Sequence, residues 1–313
     1  MENRPLFTSS FRGLATYLLL ICLILMGVGL GINGLFESQI IYAPSISGAA
    51  KVNRMLTIHE PTEIPILGSS RAECSYQPSI LGPSYYNYGI PGSDANVWLF
   101  FLEKELEKER QTPILINFDI KGFTRSIGDE GNYIPNFPAT LPVLKEKANS
   151  WYYVPFVKYF GWYESYVKYY LNEKSAFTKY IDRGASNEKN VLTPEQFDRL
   201  VAKRKQTRAK FTYEKELVNK FHTLLSGTER QIYLVIAPYH SSYFELFLNP
   251  EELQDYLNKL FRFENVKVFD LRYTAIDEEE FFNTTHLNYK GAVRFSQEVK
   301  QLIAASEGKN LIR

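Results

Sequence analysis

The stretch of sequence that decides the fold is Ile64-Pro65-Ile66-Leu67-Gly68-Ser69-Ser70-Arg71. Its four apolar residues predict a buried β-strand, and the glycine and serines that follow predict a sharp turn into a helix. A serine at such a turn is suited to act as a nucleophile, because backbone N–H groups near it can hold an oxyanion. The competing interpretation is that Gly68, Ser69 and Ser70 are only turn and helix-capping residues.

Further apolar runs recur along the chain and alternate with helical patterns. The other predicted strands lie at residues 85–88, 113–118, 231–237 and 266–270, and helical spacing is found at residues 95–108 and 289–305. Strands that alternate with helices predict an α/β fold, in which a central parallel sheet is covered by helices on both faces.

The predicted organisation is an anchor, a linker and one domain. It comprises a cytoplasmic N-terminus at residues 1–13, a transmembrane anchor at 14–36, a linker at 37–61, an α/β domain at 62–306 and a tail at 307–313. A helical, aromatic-rich segment at about 124–210 interrupts the alternation and is predicted to be an insertion. It is either a lid or substrate platform, or additional scaffold.

The N-terminal segment is long and apolar enough to cross a membrane. No charged residue stands between Arg12 and Glu37, and at about 1.5 Å per residue the segment spans a hydrocarbon core of about 30 Å. Arg4 and Arg12 precede it, so the positive-inside rule places the N-terminus in the cytoplasm and the main domain in the periplasm or outside the cell. A cleaved signal peptide is the alternative, but its apolar region usually has only about 7 to 15 residues.

The composition and net charge exclude some classes of binding partner and cofactor. The net charge is +1, and the sequence contains neither a basic stripe nor a nucleic-acid-binding motif, so we expect no nucleic-acid partner. The two cysteines, Cys22 and Cys74, predict neither a disulfide framework nor a cysteine zinc site. We expect no metal and no organic cofactor.

Four histidines are candidates for a catalytic base. His59 lies in the predicted linker and His222 in a helical pattern with charged neighbours, so both are expected to be structural or surface residues. His240 follows a predicted strand, at the sheet edge where α/β proteins bind ligands. His286 precedes the last predicted helix, a loop position suited to general base catalysis.

Three short motifs resemble the sequence blocks of the SGNH/GDSL hydrolase superfamily. They are Gly68-Ser69-Ser70, Tyr86-Asn87-Tyr88-Gly89-Ile90-Pro91-Gly92-Ser93 and Asn283-Thr284-Thr285-His286, in the family's order and spacing. The resemblance covers roughly residues 63–305 and implies a flavodoxin-like three-layer fold. It also implies Ser70 as nucleophile, His286 as base, and the backbone N–H groups of Ser70 and Gly92 as oxyanion donors.

The chain departs from the family pattern at two places. Asn117-Phe118-Asp119 stands where a Gly-x-Asn-Asp block is usual, so the side-chain oxyanion donor is missing or replaced. Asn283 stands in place of the aspartate whose carboxylate orients the histidine and stabilises the imidazolium. Asp277 or one of the glutamates at 278–280 is a candidate substitute, a Ser-His dyad is a second possibility, and a site that binds without turnover is a third.

Four further residues near these motifs are candidates to bind substrate, namely Arg71, Asn87, Asp119 and His240. A Gly-Ser-Ser block behind an N-terminal anchor is similar to the membrane-anchored branch that includes alginate O-acetylation and D-alanyl-lipoteichoic acid transfer proteins. That resemblance implies transfer or hydrolysis of an acyl group, by preference acetyl, on a cell-surface or exported polysaccharide, with a membrane acyl-donor protein as a further partner. The alternatives are a catalytically silent protein that binds polysaccharide or scaffolds an export complex, and an assembly protein that uses Gly27 and Gly31 of the anchor.

Overall fold

A computed structural model describes residues 8–38, 48–93, 95–120, 154, 182–186, 188–205, 213–244, 249–274 and 276–308. Five parallel strands form its central sheet. They are β1 (Ile64–Leu67), β2 (Tyr85–Asn87), β3 (Ile114–Asn117), β4 (Ile232–Ile236) and β5 (Val266–Asp270), in the spatial order β2-β1-β3-β4-β5. This is the strand order of flavodoxin-like folds, and it confirms the α/β class and the parallel sheet predicted from the sequence.

Ten helices lie in the described part of the chain, and all except the first contribute side chains to the cores on the two faces of the sheet. In chain order they are α1 (Thr8–Phe36), α2 (Gly48–Thr57), α3 (Ser70–Ser75), α4 (Pro78–Leu81), α5 (Ala95–Leu106), α6 (Pro194–Lys205), α7 (Lys215–Ser226), α8 (Ser241–Phe244), α9 (Pro250–Leu260) and α10 (Tyr289–Ser306). A 3₁₀ turn (Glu278–Glu280) and a small antiparallel pair, β6 (Phe281–Asn283) with β7 (His286–Leu287), precede α10. The last predicted helix is thus present.

Alternate residues of each strand enter two separate cores, because successive side chains point to opposite faces of a sheet. On β3, Ile114 and Ile116 pack with α2, α5, α7 and α9. Leu115 of the same strand packs on the other face with α3 and α10. Trp98 of α5 and Phe221 of α7 are fully buried and meet edge to face at 5.4 Å between ring centroids. Burial of a large apolar side chain contributes about 1.5 to 3 kcal/mol to the free energy of unfolding.

The N-terminal part differs from the prediction in one respect. Within α1, residues 13–36 are long and apolar enough to cross a membrane. The predicted linker at 37–61, however, contains α2, whose Val52 and Met55 are buried in the core beside α5. The apolar residues of α2 lie on one face of the helix, as expected for a helix that packs on a core. The packed domain therefore begins before residue 62.

The two ends of the parallel strands carry different chemistry. At the amino end, buried Glu63 and Glu105 form ion pairs with Arg54, Arg110 and Arg230. The carboxyl end carries the serine and histidine motifs, as expected for ligand sites of α/β sheets. Of the predicted insertion, residues 154, 182–186 and 188–205 are described, and they include α6. The aromatic block at 151–180 otherwise lies outside the described residues.

Candidate active site

The first motif forms a tight turn between β1 and α3. Gly68 has φ of +147°, and a Cβ there would lie 2.8 Å from Cβ of Ala72 and 3.1 Å from Cβ of Asn117, so both the backbone angle and the space favour glycine. Ser69 is the N-cap of α3, and its Oγ accepts the backbone N–H of Arg71 at 3.1 Å. The capping interpretation is therefore correct for Ser69, and Ser70 becomes the first residue of the helix.

The structure brings Ser70 and His286 into hydrogen-bond contact. Ser70 Oγ lies 2.7 Å from Nε2 of His286, although the two residues are 216 positions apart in sequence. Both side chains are half-buried, so the pair remains open to a substrate. This distance lies within the range in which a histidine can accept the proton of a nucleophilic serine.

Asn283 holds the other side of the histidine ring. Its side-chain oxygen accepts the backbone N–H groups of Thr285 at 2.9 Å and His286 at 3.1 Å. Because a backbone N–H can only donate, these two bonds orient the amide so that its oxygen, and not its NH₂ group, faces Nδ1 of His286 at 3.0 Å. Nδ1 must then carry the proton, which leaves the lone pair of Nε2 directed at Ser70.

Thr285 strengthens this arrangement. Its hydroxyl donates to the Asn283 oxygen at 3.0 Å and lies 3.1 Å from Nδ1 of His286. An asparagine whose side chain bonds the backbone two residues onward is a common turn element, and that local signal predicts the turn. Thr285 is not among the residues predicted from the sequence, because the Asp-x-x-His pattern assigns no role to the position before the histidine.

The other candidates to replace the missing aspartate lie elsewhere. Glu280 is buried and bonded to Arg294, Glu279 is bonded to Lys290, and Glu278 lies 3.5 Å from Nε2 of His240. Asp277 lies 3.9 Å from Arg294. Asn283 and Thr285, by contrast, each place a side-chain oxygen within 3.1 Å of Nδ1 of His286.

Arg71 links the turn of the candidate nucleophile, residues 68–70 (the nucleophile turn), to the turn of the candidate base, residues 283–286 (the base loop). It is 5% exposed, and its guanidinium donates to the carbonyl oxygens of Thr285 at 3.0 Å, Ala237 at 2.6 Å and Pro238 at 3.2 Å. The guanidinium also lies 3.2 Å from the centroid of the Tyr239 ring. Arg71 was expected to bind substrate. The geometry instead gives it a structural role, in which it joins the residue after Ser70 to the residue before His286.

Asp119 balances the buried charge of Arg71. One carboxylate oxygen lies 2.9 Å from Nε of Arg71 and accepts a bond from Asn117 at 3.0 Å, while the other oxygen accepts the hydroxyl of Ser69. Burial raises the pKa of Asp119, and the positive charge of Arg71 opposes that rise. Asn117 also accepts a bond from Tyr76 at 3.0 Å, so both polar residues at the end of β3 are used inside the protein.

The second motif, residues 86–93, packs against α3, the helix that begins at the candidate nucleophile Ser70 (the nucleophile helix). Asn87 is fully buried and donates to the carbonyl oxygens of Ala72 and Tyr76 at 2.8 and 3.0 Å, so it positions α3 and does not face a substrate. A Cβ on Gly89 would collide with the backbone N of Glu73. Glycine is therefore required at position 89 for this close approach.

Gly92 lies on the turn that follows this contact. Ile90 pairs with Ser69 in a parallel bridge, and Gly92 follows two residues later, exposed and with φ of +74°. The turn that carries Gly92 thus stands beside the serine turn. Its role as an oxyanion donor remains a prediction.

His240 lies close to the base loop without being part of the pair. Its backbone N–H donates to the carbonyl of Thr284 at 3.2 Å, and its Nδ1 lies 2.7 Å from Oγ of Ser242. Its ring packs on Phe197 at 4.5 Å between centroids. These contacts support the base loop, and a contact of His240 with substrate remains a prediction. Within the described part of the chain, no cluster of three or more His, Cys, Asp or Glu side chains could hold a metal ion.

Neither a protein family model nor a curated protein sequence matches the chain. Among solved structures, the chain is similar to a Streptococcus pneumoniae protein whose description provisionally assigns it as a platelet activating factor. The identity is 12% and the TM-score is 0.39, over 88% of this chain and 99% of that chain.

Proposed function

We propose that this protein is a membrane-anchored serine esterase or acyltransferase of the SGNH type, which acts on an acyl ester, by preference acetyl, of a cell-surface or exported polysaccharide. The observation that carries the proposal is the 2.7 Å contact between Ser70 Oγ and His286 Nε2, supported by the orientation of Asn283 behind the histidine. A nucleophile, a base and a group that orients the base are the three components that serine acyl transfer requires.

The reaction follows from the geometry. Ser70 Oγ attacks the acyl carbonyl carbon while its proton passes to Nε2 of His286, and the carbonyl oxygen becomes an oxyanion held by the backbone N–H groups of Ser70 and Gly92. The intermediate collapses to an acyl-serine as the leaving alcohol takes the proton from His286. Water or a sugar hydroxyl then gives its proton to His286 and attacks the acyl carbon, and Ser70 recovers its proton when it leaves.

Asn283 suits this cycle because it sets the correct histidine tautomer. In serine proteases, asparagine in place of the aspartate produces the wrong tautomer and lowers turnover by about 10⁴-fold. Here, two backbone N–H groups hold the amide oxygen towards Nδ1, so the tautomer is the productive one. Compared with an aspartate, Asn283 lacks only the negative charge that would stabilise the imidazolium. This favours a slow but competent enzyme over a silent polysaccharide-binding protein.

The location of the domain is part of the proposal. We place α1 across the cytoplasmic membrane with its N-terminus inside, and the α/β domain in the periplasm or outside the cell. The apolar length of residues 13–36 supports an anchor, and Arg4 and Arg12 support the orientation. A polymer and its acyl donor would meet the enzyme on that side of the membrane.

Hydrolysis of 4-nitrophenyl acetate by the full-length protein in detergent tests the chemistry. Wild-type protein should release nitrophenol and react with a fluorophosphonate probe, whereas Ser70→Ala should do neither. Ser306→Ala is a matched control, because Ser306 lies at the far end of α10 from the histidine motif and its hydroxyl donates to the Ile303 carbonyl at 2.8 Å. Wild-type protein that fails both assays, with its thermal unfolding intact, would support the silent binding protein instead.

A further inference from the structure

Residues 182–186 and 188–205, which we call the 182–205 segment, contact both halves of the proposed active site. The backbone N–H of Ser186 donates to the carbonyl of Glu73 in α3 at 2.9 Å, and Gln77 donates to the carbonyl of Ser186 at 3.0 Å. Two residues further on, the carbonyl of Glu188 accepts the backbone N–H of Tyr289 at 2.6 Å. The segment therefore passes from the nucleophile helix to the start of α10, close to the end of the base loop.

Helix α6 continues this segment and is held in a defined position. Thr193 and Gln196 form reciprocal bonds at its start, with 3.0 Å from Thr193 N to the Gln196 side-chain oxygen and 3.3 Å from Gln196 N to the Thr193 hydroxyl, an arrangement that stabilises helix N-termini. Phe197 is 6% exposed and packs on His240 and the second core. The face of α6 that carries Gln196 and Leu200 is thereby fixed.

A cavity of about 510 Å³ lies between this segment and the base loop. Its lining residues are Asn190, Val191, Leu192, Gln196, Leu200, Phe282 and Asn283, and we call it the Phe282 pocket. Asn283 is the residue that orients His286, and the ring of Phe282 lies 5.6 Å from the ring of His286 between centroids. The volume lies in the range of small-molecule sites, about 300 to 1,000 Å³.

The chemistry of the lining residues indicates which class of ligand the Phe282 pocket can bind. Four of the seven described lining side chains are aliphatic or aromatic, and three are carboxamides. No lining side chain in the described part of the chain carries a formal charge. A carboxamide can both donate to and accept from a hydroxyl, and an aromatic ring offers a flat apolar face. An acyl chain could form no hydrogen bond with these carboxamides, and an anionic sugar would meet no cationic group among the described lining residues.

We propose that the Phe282 pocket is a subsite for an uncharged glycosyl unit of the substrate, next to the unit whose ester reaches Ser70. This inference rests on the proposed function and specifies its substrate class. The apolar face of the sugar packs on Phe282 and Leu200, and its hydroxyls bond the carboxamides of Asn190 and Gln196. The pocket thereby selects neutral over acidic acetylated polymers.

The substitution Leu200→Trp tests this subsite by filling the pocket. Arg199→Trp is the matched control, because Arg199 is exposed on the same helix and is not among the lining residues. For acetylated xylo-oligosaccharides, kcat/KM of the full-length Leu200→Trp protein should fall at least about tenfold, while 4-nitrophenyl acetate hydrolysis stays within about twofold. Arg199→Trp should change neither rate. Wild-type protein should deacetylate xylo-oligosaccharides in preference to acetylated oligogalacturonides.

Several outcomes would overturn the subsite. The first is an equal rate for Leu200→Trp and wild type on xylo-oligosaccharides, and the second is a preference of the wild type for the acidic oligosaccharide. The third is an effect of Leu200→Trp on hydrolysis that depends on the acyl chain length of nitrophenyl esters, which would identify an acyl pocket. Failure of the catalytic proposal is separate, since it shows as absence of 4-nitrophenyl acetate hydrolysis. In that event calorimetric titration of the Ser70→Ala protein, with and without Leu200→Trp, still decides the subsite, because the second substitution should abolish binding of the xylo-oligosaccharide.

Discussion

The side-chain oxygen of Asn283 lies 3.0 Å from Nδ1 of His286 and is held there by two backbone N–H groups of the same turn. An amide held in this way directs the histidine as a carboxylate would, without the charge. The chain thus keeps the geometry of a serine triad although its third member is neutral.

Asn283→Asp should therefore increase turnover. The carboxylate can accept the same bonds and adds a charge-assisted bond to the imidazolium, which is about twice as strong as a neutral one. An additional 1.4 kcal/mol, roughly, corresponds to about tenfold in kcat. Asn283→Ala should lower kcat by about 10² or more, because it removes the amide oxygen that fixes the tautomer and leaves beside Nδ1 the Thr285 hydroxyl, which can donate as well as accept. Steady-state rates on 4-nitrophenyl acetate measure both, and an Asn283→Ala protein as active as wild type would contradict the assigned role.

Arg71→Met should reduce both stability and turnover. It removes three bonds to carbonyls and leaves Asp119 buried without its cation, and such a loss costs about 3 to 5 kcal/mol of unfolding free energy. Since Arg71 also holds Thr285 beside His286, kcat should fall while KM for a small ester changes little. Arg71→Lys keeps the positive charge but has fewer hydrogen-bond donors, so it should recover part of the lost unfolding free energy and part of the lost kcat.

Arg230→Met provides the control for Arg71. Arg230 is equally buried, at 5% exposed, and bonds Glu105 and the Thr112 carbonyl at the opposite end of the strands. Its substitution should lower the unfolding free energy by less than Arg71→Met does, because Glu105 keeps its ion pairs with Arg110 and Lys108, and it should leave kcat of the folded protein unchanged. If the two variants lose kcat equally, Arg71 has only a structural role.

The destabilisation by Arg71→Met should grow with pH. Burial already raises the pKa of Asp119, and Arg71 opposes that rise, so the pKa rises further in the variant. A carboxyl group with a raised pKa in the folded state favours folding below its unfolded pKa, and this contribution is lost as the pH rises through the folded pKa. Urea unfolding should give a smaller difference between variant and wild type at about pH 5 than at about pH 8. A difference independent of pH would show that Asp119 is not the group responsible.

Gly89→Ala should disturb the nucleophile turn. The added methyl would collide with the backbone of Glu73 in α3, and such overpacking costs about 1 to 3 kcal/mol. Because α3 begins at Ser70, labelling by a fluorophosphonate should slow as well. Gly227→Ala is the control, since Gly227 has an ordinary φ of −82° and its nearest neighbours are carbonyl oxygens of α7. Equal labelling rates and melting temperatures for Gly89→Ala and wild type would contradict the close packing.

Much of the fold was predictable because its signals are local. The apolar run at Ile64–Leu67 and the turn at Gly68 predict a strand that leads into a helix, and the alternation of such units predicts a parallel sheet. The membrane-spanning length of residues 13–36 is a property of composition alone. Helix α2 was missed because its short apolar face only becomes recognisable as core once α5 lies beside it.

By itself, therefore, the sequence determined the α/β class and the candidates Ser70 and His286, because strand length, turn chemistry and residue type act over a few positions. The tertiary structure alone decided that these two side chains meet and that Arg71 holds the two loops together. Those contacts join residues up to 216 positions apart, and they depend on side-chain orientation and on which carbonyls the folded sheet brings to one edge. No local sequence pattern encodes these side-chain orientations or the position of these carbonyls, because both arise only when distant segments pack.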